Sequence, residues 1–172
     1  MRTLNEVMEI VRDVDAKCGT TLAYVPFKVN NRLQTTAGRC VHTRNTKNVV
    51  RIELSKTTMN LDYEAFRQVV LHELAHGVEV QRHGTTDHGA RFKEICASIG
   101  CYEDEVCSKN VESFVKAKAQ ISKYVITCKE CGSVNHYQRK NRIVNAILAH
   151  PTNNPYCKCG ACKGRNFEAL VR

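Results

Sequence analysis

The chain has 172 residues, 42% hydrophobic and 25% charged, enough to bury a sizeable core and too apolar for wholesale disorder. No run of eighteen apolar residues occurs, so a membrane span is excluded, and Glu6 and Glu9 interrupt the opening segment where the apolar core of a secretory signal would lie. The formal net charge of +9 falls entirely on residues 109–172, with 12 Lys and Arg against three Glu, whereas residues 1–108 carry 14 of each sign. The expected setting is cytoplasmic: at the nucleoid for a bacterial protein, in the host cytoplasm for a phage protein. A basic module attached to a neutral domain points to a polyanion, most simply nucleic acid.

In chain order, Thr3 and Glu6 form a Thr-x-x-Glu capping box ahead of Leu4, Val7, Met8 and Val11, a helical stripe that should end near Gly19. Segments 22–29, 32–36 and 49–54 are rich in β-branched and aromatic residues and read as strands, with Asn30-Asn31 and Gly38 as turns. In the last, Val50, Ile52 and Leu54 alternate with Arg51, Glu53 and Ser55, so a small antiparallel sheet is expected. From Asp62 the period changes. Phe66, Val70, Leu74 and Val78 lie four apart on a core-facing helix, capped by Asp62 or Asn60 and closed by Gly84. Another helix, N-capped by Asp87, carries His88, Phe92, Ile95, Cys96 and Ile99 on one face and ends at Gly100. Residues 111–120 read as a helix. The fold class is α+β, with expected divisions at 1–108, a connector over 109–122 and a basic module over 123–172.

The second of these helices contains His72-Glu73-Leu74-Ala75-His76, an H-E-x-x-H sequence. Histidines four apart share a helix face, so both imidazoles reach one cation. Zinc suits neutral imidazole, and a catalytic zinc takes three protein ligands and keeps a fourth position for water. Glu73 is rotated about 100° from His72 around the helix, outside the ligand pair but within reach of that water as a general base. Arg82 stands six residues after His76, where a metzincin carries histidine, which leaves His83 and His88 as third ligands. His83 falls at the expected helix end. His88 shares the stripe of Phe92 and would clamp two helices around the metal, so it is favoured.

Of ten cysteines, Cys18, Cys40, Cys96, Cys101 and Cys107 show no paired spacing. Cys128-Lys-Glu-Cys131 and Cys159-Gly-Ala-Cys162 do, followed by Gly132 and, one residue later, Gly164. Without an export signal such pairs point to zinc rather than disulfides, and four thiolates make a closed, structural shell. Cys157 competes with Cys159 for a place in it, and the 27 residues between Cys131 and Cys159 exceed the usual spacing. Two zinc ions are therefore expected, one catalytic and one structural. Lys123, Lys129, Arg139, Lys140, Arg142, Lys158, Lys163 and Arg165 surround these cysteines, interleaved with Tyr124, His136, Tyr137, Tyr156 and Phe167. Cations neutralise phosphates and exposed rings stack on bases, the pattern of single-strand binding. Most of the rings are expected to fill the module's own small core.

Val70-Leu-His-Glu-Leu-Ala-His76 followed by Asp87-His88-Gly89-Ala90-Arg91-Phe92 resembles the SprT-like metalloprotease family, which includes Spartan-type proteases. Thr36-Ala37-Gly38-Arg39-Cys40 and Ile52-Glu53-Leu54-Ser55 are similar to its strands before the catalytic helix, and the likeness runs over about residues 20–165. The resemblance implies a zincin-like domain followed by a β-rich zinc ribbon. It also implies His72, His76 and His88 as zinc ligands and Glu73 as catalytic acid/base. It further implies an endopeptidase acting on proteins at or near DNA, with DNA–protein crosslinks as substrates and the basic ribbon as tether. The residues by themselves leave open a second class, a nucleic-acid-binding adaptor with an idle zincin scaffold, against which the intact Glu73 argues. A peptidase unrelated to DNA, its ribbon serving stability alone, is a third.

Overall fold

The capping box starts the first helix, α1 (Leu4–Cys18): Thr3 Oγ1 accepts the Glu6 N–H at 3.3 Å and the Glu6 carboxylate accepts the Thr3 N–H at 2.7 Å. The computed structural model describes residues 1–33, 36–102 and 112–172, with the backbone alone for 112–115. These residues form two units, Met1–Ala117 and Lys118–Arg172. The expected boundary at 108–109, the start of the connector and Cys107 lie outside the described residues. Gly19 closes α1 in a left-handed conformation (φ 64°), and Val7, Ile10, Val11 and Val14 face the core.

Residues 22–29 do not make one strand. The Asp15 carboxylate accepts the Leu22 and Ala23 N–H groups at 2.9 and 2.8 Å and the Thr20 hydroxyl at 2.6 Å, curling Leu22–Tyr24 into a 3₁₀ turn. Pro26 has no N–H to give a ladder, so β1 is only Phe27–Asn30. Of segment 32–36, residues 34 and 35 lie outside the described residues, and Arg32 donates its N–H to Asn30 Oδ1 at 2.9 Å in a turn. β2 (Gly38–His42) then pairs antiparallel with β3 (Val49–Ser55), while β1 runs parallel to β3 on its other side, giving the order β1-β3-β2. The sheet is thus mixed rather than antiparallel. Side-chain alternation records the face a residue occupies and not the direction of the strand beside it.

Val50 is 40% exposed although the alternation places it inward. The register passes from Val41↔Arg51 to His42↔Val49, and this bulge turns Val49 in and Val50 out. Glu53, on the central strand, is buried yet fully engaged: Arg51 Nε donates at 2.6 Å, Asn30 Nδ2 at 2.7 Å and Arg39 Nε at 2.8 Å. These partners, Arg51 first, hold its carboxyl at about 2 against an ordinary 4.5. A depressed carboxyl stabilises the fold above its unfolded value, and that stability is lost as the pH falls through its folded value. Glu53→Gln should therefore be less stable than wild type at neutral pH, with the gap closing between pH 4.5 and 2. Thermal unfolding across that range tests it, and a gap independent of pH would assign the loss to packing instead.

Asp62, not Asn60, caps α2 (Tyr63–His83) by accepting the Ala65 N–H at 2.9 Å, and Gly84 ends it at φ 78°. Phe66, Val70, Leu74 and Val78 are buried as their spacing predicts. α3 (Ala90–Ile99) begins later than expected. Asp87 does not cap it, because Asp87 Oδ1 takes the Gly89 N–H at 2.6 Å in a local turn. His88 therefore sits in the turn between α2 and α3 and not on the helix.

The helix α4 (Glu112–Ile121) leads into the second unit, where β4 (Tyr124–Cys128), β5 (Val134–Tyr137) and β6 (Phe167–Val171) form an antiparallel sheet of order β5-β4-β6. Between β5 and β6 lies an unexpected helix, α5 (Arg142–Ala149), capped by Asn141 Oδ1 accepting the Val144 N–H at 2.9 Å. Its Ile147 joins Ile126, Cys128, Cys159 and Phe167 in a small core. This helix accounts for the long gap between the cysteine pairs. Asn154, fully buried, fixes the return: Nδ2 donates to the Ala146 and His150 carbonyls at 2.9 and 2.6 Å, and Oδ1 accepts the Tyr156 and Cys157 N–H groups at 2.9 and 2.7 Å. Among the described residues no helix is long and apolar enough to cross a membrane.

Candidate metal centres

The helical period of α2 places His72 and His76 on one face with ring centroids 4.9 Å apart, and the turn before α3 brings His88 to 5.2 and 4.8 Å from them. One nitrogen from each ring lies within 4.8 Å of the others. His72 Nε2 and His88 Nε2 are 3.3 Å apart. Tetrahedral zinc with ligands at about 2.0–2.1 Å holds its nitrogens roughly 3.3–3.4 Å apart, so this pair stands at the spacing that ion sets, and a His76 nitrogen lies within 4.8 Å of both. Phe92, fully buried, packs against all three rings at 5.2, 4.4 and 4.8 Å. Burial, with repulsion from His88, lowers His72 to about 4. Burial, with repulsion from His72 and His88, lowers His76 to about 3. Both rings are thus neutral near pH 7, with the lone pairs that a metal needs. His83, at the end of α2, is exposed and outside this group.

Glu73 is buried beside the histidines. Burial pushes its carboxyl up to about 8, opposed by the backbone N–H of Cys40. The close approach of Gly38 leaves it little space: a Cβ there would sit 2.7 Å from Glu73 Cγ and 2.9 Å from Oε1. Gly38, expected in a turn, instead opens β2 with no side chain where the carboxyl packs. Two residues the motif does not reveal stand behind His76. Thr86 Oγ1 is 2.7 Å from His76 Nδ1, and Glu79 Oε2 accepts the Thr86 hydroxyl at 2.8 Å. The sequence signal for Glu79 is a carboxylate on a core-facing helix, three residues after a histidine; Thr86 carries none.

In the second unit the Sγ atoms of Cys128, Cys131, Cys159 and Cys162 lie within 4.8 Å of one another, with Cys128–Cys162 and Cys131–Cys159 each at 3.6 Å. A disulfide would need about 2.05 Å, whereas thiolates at about 2.3 Å from a tetrahedral zinc stand roughly 3.8 Å apart. Cys157 is outside the group and packs against the small core, so Cys159 is the member. The two knuckles fold alike: Gly132 N–H donates to the Cys128 carbonyl at 2.9 Å and Lys163 N–H to the Cys159 carbonyl at 3.0 Å. Both residues are left-handed, φ 72° and 65°, so the second knuckle turns on Lys163 rather than on Gly164. Gly164 makes room for Glu130, whose carboxyl carbon would lie 2.6 Å from a Cβ there. Glu130 Oε1 accepts the Arg165 and Asn166 N–H groups at 3.2 and 3.1 Å, tying one knuckle to the other. Backbone N–H groups of Cys162 and Ala161 lower the Cys159 thiol to about 6.

Lys129, Arg139, Lys140, Arg142, Lys158 and Lys163 are exposed, while Arg165 is half-buried and donates to the Asn154 carbonyl at 2.8 Å. Of the rings, Phe167 is buried, Tyr137 packs on the core and Tyr156 is 71% exposed.

Among curated proteins none matches the chain. Among solved structures the metallopeptidase zymogen of Pyrococcus abyssi abylysin is similar to it, with a TM-score of 0.41 and 17% identity over 67% of this chain and 90% of the other. The model of the SprT-like family matches residues 7–117, well over half of the sequence and all of the histidine site, and the chain belongs to that family.

Proposed function

We propose that this protein is a zinc-dependent endopeptidase of the cytoplasm that cleaves proteins at or near DNA, including proteins crosslinked to it. In this reading residues 1–108 are the catalytic domain, 109–122 the connector and 123–172 a zinc ribbon that holds DNA. Membership of the SprT-like family supports the metalloprotease chemistry. The observation that carries the reading is the convergence of three imidazoles beside a buried carboxyl that is not one of the converging donors.

His72, His76 and His88 hold the catalytic ion, and Cys128, Cys131, Cys159 and Cys162 hold a structural one. Zinc at the histidines supplies Lewis acidity, acidifying water and polarising a peptide carbonyl. Glu73 takes the proton of the attacking water and passes it to the leaving amine. Its environment suits both steps. Burial raises its proton affinity, and a cation held by the adjacent histidines would act in the opposite direction, favouring the carboxylate. Gly38 and the Cys40 N–H keep the carboxyl in one place.

Lys129, Arg139, Lys140, Arg142, Lys158 and Lys163 contact phosphates, and Tyr156 is the ring with the surface to stack on an unpaired base. Arg165 has a weaker claim, since its guanidinium already serves the Asn154 carbonyl.

The test is cleavage of a DNA-binding protein by the full chain, with and without DNA and with and without a chelator. Cleavage that needs both DNA and metal is expected. Equal cleavage without DNA would remove DNA from the reading, and no cleavage in any arm would favour an adaptor. Neutralising Arg139, Lys140 and Arg142 should reduce the slope of log K against log salt for single-stranded DNA by about 2, at roughly 0.7 per phosphate contact. An unchanged slope would move the contacts elsewhere.

A further inference from the structure

Glu79 follows His76 by three residues on α2 and is completely buried, 0% exposed. A carboxylate occupies such a place only with partners that offset its lost hydration. Its Oε2 accepts the Thr86 hydroxyl at 2.8 Å and the Asp87 N–H at 3.2 Å. Among the described residues its Oε1 has no hydrogen-bond partner, and it stands 3.7 Å from Arg91 Nε. Thr86 Oγ1 lies 2.7 Å from His76 Nδ1.

The directions of these bonds follow from counting hydrogens. A carboxylate only accepts, and a hydroxyl has one hydrogen to give. Thr86 spends that hydrogen on Glu79, so a lone pair faces His76. His76 Nδ1 must then carry the ring hydrogen, which leaves the Nε2 lone pair for a metal. The same carboxylate also holds the backbone of Asp87, the residue before His88. One buried group thus reaches two of the three converging histidines: His76 through a hydroxyl, and His88 through the turn that carries it. His72 has no such support, for its buried Nδ1 has no hydrogen-bond partner among the described residues.

We infer that Glu79 and Thr86 are positioning residues of the metal site. Together they select the Nδ1–H tautomer of His76, fix its ring, and lock the turn bearing His88 to the helix bearing His72 and His76. The inference rests on the reading of these three histidines as a zinc site. It assigns the buried carboxylate a role that core packing does not need, since an apolar side chain would fill that place without the cost of burying charge.

The test uses the full-length protein loaded with zinc or cobalt, with Thr86→Val, Thr86→Ser and Glu79→Gln compared. Metal affinity at the histidine site is read by chelator competition. The cobalt visible spectrum separates that site from the thiolate-rich ribbon. Thr86→Val, nearly the same size, should weaken the histidine site about 10–100-fold, the usual cost of a lost outer-shell partner, and shift its cobalt spectrum. Thr86→Ser, which keeps the hydroxyl, should restore both. Glu79→Gln keeps an acceptor without the charge and should fall between them. Wild-type affinity and spectrum in Thr86→Val would overturn the inference, and so would a Thr86→Ser loss as large as that of valine, which would point to packing. If wild type itself holds no metal at the histidines while the ribbon does, the zinc reading fails and the inference fails with it, a result distinct from the other two.

Discussion

Replacing Glu73 with glutamine is expected to leave zinc bound and to lower peptide-bond hydrolysis by about 10²–10⁴-fold, the usual worth of a positioned general acid/base. The two side chains have nearly the same shape, and the converging donors are three histidine nitrogens that do not include Glu73. What glutamine cannot do is take a proton from water and return it to the amine. Metal analysis with a cleavage assay checks both halves, and equal proteolysis by wild type and variant would remove Glu73 from the reaction. Gly38→Ala is the companion experiment. A methyl group 2.7 Å from Glu73 Cγ cannot coexist with the carboxyl in its present place. Because Glu73 is buried it has little room to yield, so turnover should fall while zinc stays. Full activity in Gly38→Ala would mean that the position of the carboxyl is not critical.

The second large effect belongs to His88. Wild type should carry about two zinc ions per chain, one at each tetrahedral donor set. His88→Ala should reduce this to one after dialysis, because two imidazoles remain where a catalytic zinc takes three protein ligands. The loss in affinity should exceed the 10–100-fold of an outer-shell change. His83→Ala should keep both ions, since His83 lies outside the converging group. The reverse ranking would make His83 the third ligand. Loss of Cys128 and Cys131 should remove the other ion and spare the histidine site.

Much of this was legible in the sequence, because it is local. The capping box of Thr3 and Glu6, the caps at Gly19 and Gly84 and the four-residue spacing of Phe66, Val70, Leu74 and Val78 each act within one or two turns of a helix. The same holds for His72 and His76, which helical geometry alone puts on one face. Paired cysteines mark each knuckle for the same reason. Structure and expectation part where nearby groups compete for the same hydrogen bonds. Asp15 captures the N–H groups of Leu22 and Ala23, which would otherwise have lengthened a strand. Asp87 spends its side chain on a turn instead of a helix cap. The helix capped by Asn141 carries Val144, Ile147 and Leu148 at helical spacing behind the cap, a local signal that the expectation of a β-rich ribbon does not include.

By itself, then, the order of residues determined which helices form, where they stop, and which histidines and cysteines come in pairs, since hydrogen bonds and periodicity over a few residues suffice for that. Tertiary structure alone decided that β1 runs parallel to β3, that Gly38 admits the Glu73 carboxyl, that Cys159 and not Cys157 joins the converging group of four cysteines, and that Glu79 stands behind His76. Each of these depends on which surfaces meet when segments far apart in the chain are buried together, and such meetings are governed by packing and by the pairing of buried polar groups, which no short stretch of sequence contains.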